Sequence, residues 1–121
     1  GTHIKVDAFG GTERGWGRVM LGPFNSWGYS KLFFANLHAY ITNSFSKIKV
    51  ALGDINGNVV QQLIYYDTGE SGSGYDKTFV SSDLFTINTA NGNYYLILEV
   101  DSGATHLGKN ATIEMNGCYL I

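Results

Sequence analysis

The chain has 121 residues, a length that suits one domain and leaves no room for a second. Apolar residues make up 44% and charged residues only 15%, with 8 Tyr and 7 Phe, which excludes a disordered chain, since that needs high charge and few aromatics. A net charge of −2 with 8 Lys and Arg argues against a nucleic-acid binder, which would show a basic face, and no apolar run approaches the roughly 18 residues of a membrane-inserted helix.

Period-two alternation runs from one end of the chain to the other. Ile4, Val6 and Ala8 alternate with Lys5 and Asp7, which predicts a strand over 3–9. A second strand follows over 17–22 and a long one over 30–42. In the latter, Leu32, Phe33, Phe34, Ala35, Leu37, Ala39 and Ile41 supply apolar residues to both faces. Such a strand reads as buried on both sides, by its own domain on one and by another subunit or domain on the other. In 46–53, Ile48, Val50 and Leu52 share a face opposite Lys47 and Lys49. Asn56-Gly57 then marks a hairpin into 58–66, whose Val59, Val60, Leu63, Ile64, Tyr65 and Tyr66 are again apolar throughout. Shorter strands are expected over 75–80 and 84–88. Asn91-Gly92 precedes 93–101, where Tyr94, Leu96, Leu98 and Val100 face away from Asn93, Glu99 and Asp101. The last strand, 110–121, places Ala111, Ile113, Met115, Tyr119 and Ile121 opposite Thr112, Glu114, Asn116 and Cys118, with a bulge expected at Asn116-Gly117. Seven to nine strands, Gly/Asn turns and no helical periodicity specify an all-β chain, an antiparallel two-sheet β-sandwich of jelly-roll-like form. The start, Gly1-Thr2, carries neither Met nor a basic leader, and we expect a single domain, 1–121, cut from a longer protein.

Catalytic chemistry is hard to place. Cys118 is the sole cysteine, so no disulfide framework and no cysteine metal cluster forms within one chain; it reads as a buried small hydrophobe. His3, His38 and His106 lack the spacing of a metal site and read as structural or surface residues. Glu13, Asp67, Glu70, Asp76, Glu99, Asp101 and Glu114 offer carboxylates, but no two stand out as a glycosidase pair. Nucleophile-elbow and phosphate-loop motifs are missing from the sequence. Asp54, Asn56 and Asn58 alternate as in a calcium loop, yet the distal Glu is lacking and a hairpin explains the same residues. The expectation is therefore a non-enzyme with neither cofactor nor metal.

Both tryptophans and the only proline lie between Gly10 and Tyr29. An aromatic side chain in a Gly-rich loop presents a flat apolar face that suits the C–H face of a pyranose, with polar groups nearby for its hydroxyls. Trp27, Tyr29, Asn25, Arg14 and Trp16 are candidate ligand contacts on that ground. The cluster Tyr65-Tyr66-Asp67-Thr68, facing Tyr75-Asp76, is a candidate to line a second groove, with Tyr66 and Tyr75 as its ligand contacts. Trp16 also fits a plug at the sandwich end, and the tyrosines also fit ordinary strand positions.

The run Gly15-Trp16-Gly17-Arg18-Val19, followed by the apolar strand Lys31–Ile41, resembles the opening of β-sandwich domains at the distal ends of phage tail fibres. Lys47–Leu52, the Asp54–Asn58 hairpin and the closing Ile113–Tyr119 are similar to jelly-roll carbohydrate-binding modules. The resemblance implies a homotrimer on an extracellular or virion surface that recognises a bacterial surface polysaccharide. A structural trimerisation cap without ligand binding is the alternative it leaves open, since a fold does not fix a function.

Overall fold

The computed structural model describes residues 3–10, 15–70, 74–103 and 108–121. They form nine strands and no helix: β1 (His3–Gly10), β2 (Gly15–Asn25), β3 (Lys31–Ile41), β4 (Lys47–Gly53), β5 (Val59–Asp67), β6 (Tyr75–Val80), β7 (Phe85–Thr86), β8 (Asn93–Ser102) and β9 (Gly108–Leu120). The first sheet has the order β1-β9-β3-β6, with β7 paired to β3, and the second has β2-β8-β4-β5; every pairing is antiparallel. The chain changes sheet at each connection except the β4–β5 hairpin and the β6–β7 turn. The result is the two-sheet jelly roll that the alternation predicts.

Each sheet turns one face inward. Val6, Leu37, Ala39 and Ile113 from the first sheet meet Ile48, Val50, Leu98 and Val100 from the second, all buried in one continuous core. Much of the outer face of the first sheet is polar and satisfied by cross-strand pairs. Lys5 Nζ lies 3.5 Å from Glu114 Oε1, Thr112 Oγ1 donates to Asp7 Oδ1 at 2.6 Å, and His38 Nε2 lies 2.7 Å from Asp76 Oδ1. His38 is thus a partnered surface residue, as expected, while His106 lies outside the described residues.

Three strand readings need correction. Within this chain β3 is covered on one face only, and its apolar pattern has another cause. Leu32 and Phe34 point inward, Ala35 and Asn36 are both exposed, and Leu37, Ala39 and Ile41 point inward again. The strand changes phase at one extra residue, so apolar residues occur at odd and even positions while only one face is covered. β9 does the same: Gly117 takes φ +66°, which glycine reaches without strain. Beyond it Cys118 and Leu120 join the core periphery while Tyr119 turns outward and stacks on Phe33 at 5.4 Å. Cys118 therefore shares the inner face with Ala111, and Tyr119 does not. In place of the expected bulge at Asn116-Gly117, which would shift the register, β9 changes phase opposite the matching change in β3 and the pairing keeps one register. β5, finally, is an edge strand with Val59, Val60, Tyr65 and Tyr66 exposed. A register shift opposite Val50 and Ala51 inserts one residue, which lets adjacent Leu63 and Ile64 both reach the core.

Candidate site on the outer face of the second sheet

Alternation and register together build a groove across the second sheet. Trp16, Asp101, Lys47 and Asp67 stand in one cross-strand row from β2 to β5, and Arg18, Glu99, Lys49 and Tyr65 stand in the next. Neighbouring strands are about 4.8 Å apart, so each row spans about 14 Å from edge to edge. The side chains in these rows point away from the core, because their neighbours Gly17, Val100, Ile48 and Tyr66 occupy the inward positions.

One wall is the β4–β5 hairpin. Asp54 accepts backbone N–H bonds from Asn56 and Asn58, both at 2.9 Å, and so closes the Asn-Gly turn. The Asn58 N–H is the chief cause that holds the Asp54 carboxyl below its usual range. This turn folds back over the sheet, where the Arg18 guanidinium donates to the Gly57 carbonyl. Ile97 and Ala51, which face outward, are fully buried beneath it. A Cβ at Gly53 would lie 2.3 Å from Ile97 Cδ1 and 3.2 Å from the Asn58 carbonyl oxygen, so the buried Ile97 side chain would have to shift to admit one.

The opposite wall is carried by Phe45. Its φ of +59° is the only positive value among the described non-glycine residues, a conformation that costs a bulky side chain about 1–3 kcal/mol. Its N–H donates to the Gly69 carbonyl at 2.9 Å, and Gly103 packs so closely that an added Cβ would meet Phe45 Cβ at 2.2 Å. The ring is left 43% exposed. A depression of about 420 Å³ lies between Phe45, Gly69, Gly103, Lys47, Asp67 and Asp101. Another of about 140 Å³ reaches Lys49, Tyr65 and Glu99, and it shares Lys47 and Asp101 with the first. The two form one groove.

Its charges are paired. Glu99 lies 3.3 Å from both Arg18 Nε and Lys49 Nζ, and Lys47 Nζ lies 3.9 Å from Asp67 Oδ2. Asp101 is buried beside Lys47. Tyr65, 48% exposed, lines the groove. Trp16, 57% exposed, lines neither depression and stands beyond Asp101 on the edge strand β2, at the end of the same cross-strand row.

Among the residues singled out from sequence, Tyr65 and Asp67 of the second cluster line this groove, and Trp16 stands at the end of one of its rows. Arg14 lies outside the described residues. Asn25, Trp27 and Tyr29 sit at the other end of β2, about 30 Å from Trp16 at the rise of a strand. There Asn25 Oδ1 accepts the Trp27 N–H at 3.0 Å, and Trp27 is 66% exposed. Tyr29 borders a separate cavity of about 390 Å³ floored by Leu21, Leu32, Leu96 and Leu120. Burial pushes the thiol of Cys118, which also lines it, up to about 12. This cavity presents few polar groups to a hydroxylated ligand. Tyr66 and Tyr75 stack at 4.2 Å where the edges of β5 and β6 approach, closing the seam between the sheets. Burial, with Tyr66 beside it, raises the Tyr75 phenol. The groove residues that sequence reasoning did not propose as ligand contacts are Phe45, Lys47, Lys49, Glu99 and Asp101, the last two weighed only as catalytic carboxylates. Alternation already sets Lys47 with Lys49, and Glu99 with Asp101, on outward faces; what it lacks is the pairing of β4 with β8.

Among the described residues, no group of three His, Cys, Asp or Glu side chains is placed to hold a metal ion. No family model matches the chain, and no curated protein matches it. Among solved structures it is similar to the C-terminal CBM6 of LamC, a marine laminarinase from Zobellia galactanivorans. The identity there is 12% and the TM-score 0.37, over 95% of this chain and all of that one. It is also similar to the structure of infectious bursal disease virus Gx strain, at 12% identity and a TM-score of 0.36. That match covers 98% of this chain but 32% of the viral one.

Proposed function

We propose that this domain binds carbohydrate without transforming it, and that the groove on the outer face of the second sheet is where it does so. The observation that carries the reading is the pair of exposed rings, Trp16 and Tyr65, at either end of a floor of ionic side chains. Pyranose rings offer C–H faces that pack on aromatic rings and equatorial hydroxyls that both donate and accept. Lysine ammoniums supply donors here and the carboxylates supply acceptors, which matches that dual demand. Glu99 is engaged by two cations and Asp67 by one, so the carboxylates serve as fixed acceptors in this reading. The domain belongs on an extracellular or virion surface, where such ligands are met.

Calorimetric titration with a panel of soluble polysaccharides tests this. Tyr65→Ala should weaken binding at least several-fold while Tyr29→Ala leaves it unchanged; the reverse pattern moves the site to the far end of β2. Prolonged incubation should release no new reducing ends, and their appearance would revive an enzyme. A trimeric cap is the second reading. It is favoured by the outward Phe33–Tyr119 stack and by exposed Trp27 and Ile121. Light scattering decides it: a mass near three chains supports assembly, and a monomer removes it.

A further inference from the structure

We infer that the ligand of this groove is an internal stretch of a neutral polysaccharide, lying across the strands from Trp16 to Tyr65; the inference rests on the carbohydrate reading above. Two observations carry it independently.

The first is charge balance. Three cations, Arg18, Lys47 and Lys49, stand among three carboxylates, Asp67, Glu99 and Asp101, on two adjacent cross-strand rows. Both lysines already lie within 4 Å of a carboxylate. A uronate or sulfated sugar needs surplus positive charge to offset the desolvation of its own anion, and these rows hold no surplus. It would also meet the carboxylates of Asp67 and Glu99 at close range. A neutral sugar loses nothing by this arrangement. An ammonium bound to one carboxylate still has hydrogens to donate, and a carboxylate bound to one lysine still has lone pairs. Donors and acceptors alternate along each row, as a run of hydroxyls requires.

The second is the direction in which the groove is open. Its walls, the 54–58 hairpin and the Phe45 loop, stand at the two ends of the strands. The groove is lined from β4, β5, β8 and the loops beside them and runs out over the edge strand β5. On the other side its row continues past Asp101 to Trp16 on the edge strand β2, with no end wall among the described residues. A glycan can therefore enter on one side and leave on the other. The span of about 14 Å takes about three sugar residues. A site for chain ends would need a wall at one edge.

The test uses the whole chain in calorimetry with two matched sets of probes. The first is a ladder of neutral gluco-, xylo- and manno-oligosaccharides from two to six units, with and without reduction of the terminal aldehyde. The second is the corresponding uronate and sulfated oligosaccharides. We expect binding to one neutral series, with affinity rising up to about three or four units and flat beyond. Reducing the terminus should change Kd by less than about twofold, and so should raising the salt to a Debye length of about 3 Å. Preferential binding of the acidic set, with affinity falling as salt rises, would overturn the neutral assignment and leave carbohydrate binding intact. Loss of binding on terminal reduction would overturn the internal mode. Binding to neither set would overturn the carbohydrate reading itself, and this inference with it.

Discussion

Replacing Trp16 with alanine isolates the aromatic contribution to the groove. The side chain is 57% exposed, and a tryptophan can bury up to about 250 Å², so about 140 Å² remains for a ligand. A pyranose laid flat covers one of the two ring faces, about 70 Å², worth about 1.8 kcal/mol at ~25 cal/mol per Å². That is about a 20-fold rise in Kd. The substitution should cost the fold little, because Trp16 sits on an edge strand and points to solvent. We expect less than about 1 kcal/mol, the range of strand propensity. Calorimetry with the best neutral oligosaccharide reads the first quantity and urea unfolding reads the second. Trp27→Ala, more exposed and just past the far end of β2, is the control and should leave Kd unchanged. A Trp16→Ala protein with native stability and an affinity within twofold of wild type would refute the argument. So would a 20-fold loss in the Trp27→Ala control.

Three further outcomes follow from the same geometry. Gly53→Ala drives a methyl group into Ile97, and overpacking of this kind costs about 1–3 kcal/mol; the urea midpoint should fall, and sugar affinity with it as the hairpin wall is displaced. The Cys118 thiol, raised by burial from 9.0 to about 12, should react with iodoacetamide at pH 8 about a thousandfold more slowly than a free thiol of similar access, through its smaller thiolate fraction. Because the folded value is the higher one, its contribution to stability is complete below pH 9.0 and declines as pH rises toward about 12; Cys118→Ala should remove that part of the slope in pH-dependent unfolding. The Asp54 carboxyl is shifted the other way by the Asn58 N–H, so its contribution is present above pH 3.8 and lost as pH falls through its depressed folded value. Asp54→Ala should flatten the acid limb of stability below pH 3.8, and an unchanged limb would refute that role.

Nearly every strand was legible from alternation, because a half-buried sheet imposes period two on its residues wherever the backbone stays regular. The misreadings fall where it does not. Ala35 and Gly117 each break the alternation once, and apolar residues on both sides of the break imitate a strand buried on two faces. The site was less legible for a different reason. Trp16 and Tyr65 lie on opposite edges of one sheet, and the rows between them combine strands far apart in sequence. No local pattern encodes that β4 pairs with β8. Loop composition instead drew attention to Trp27, which is exposed but stands away from the paired charges. Phe45 carried no signal, since its left-handed backbone is imposed by Gly69 and Gly103.

The matched irregularity in β3 and β9 bears on how this chain tolerates change in length. Phe34 pairs with Cys118 and Asn36 with Asn116, so the ladder keeps a single register through the irregular pair. One surplus residue in each strand cancels the other. Deleting Ala35 alone would restore simple alternation in β3 but slide everything on one side of it by one position against β9, setting inward residues opposite outward ones. Deleting Gly117 alone would do the same from the other strand. Removing both should leave a regular ladder with every side chain on its present face, shorter by about one residue's rise of 3.4 Å. Insertions and deletions in these two strands are therefore admissible only in pairs, and two positions more than eighty residues apart in the sequence must gain or lose length together.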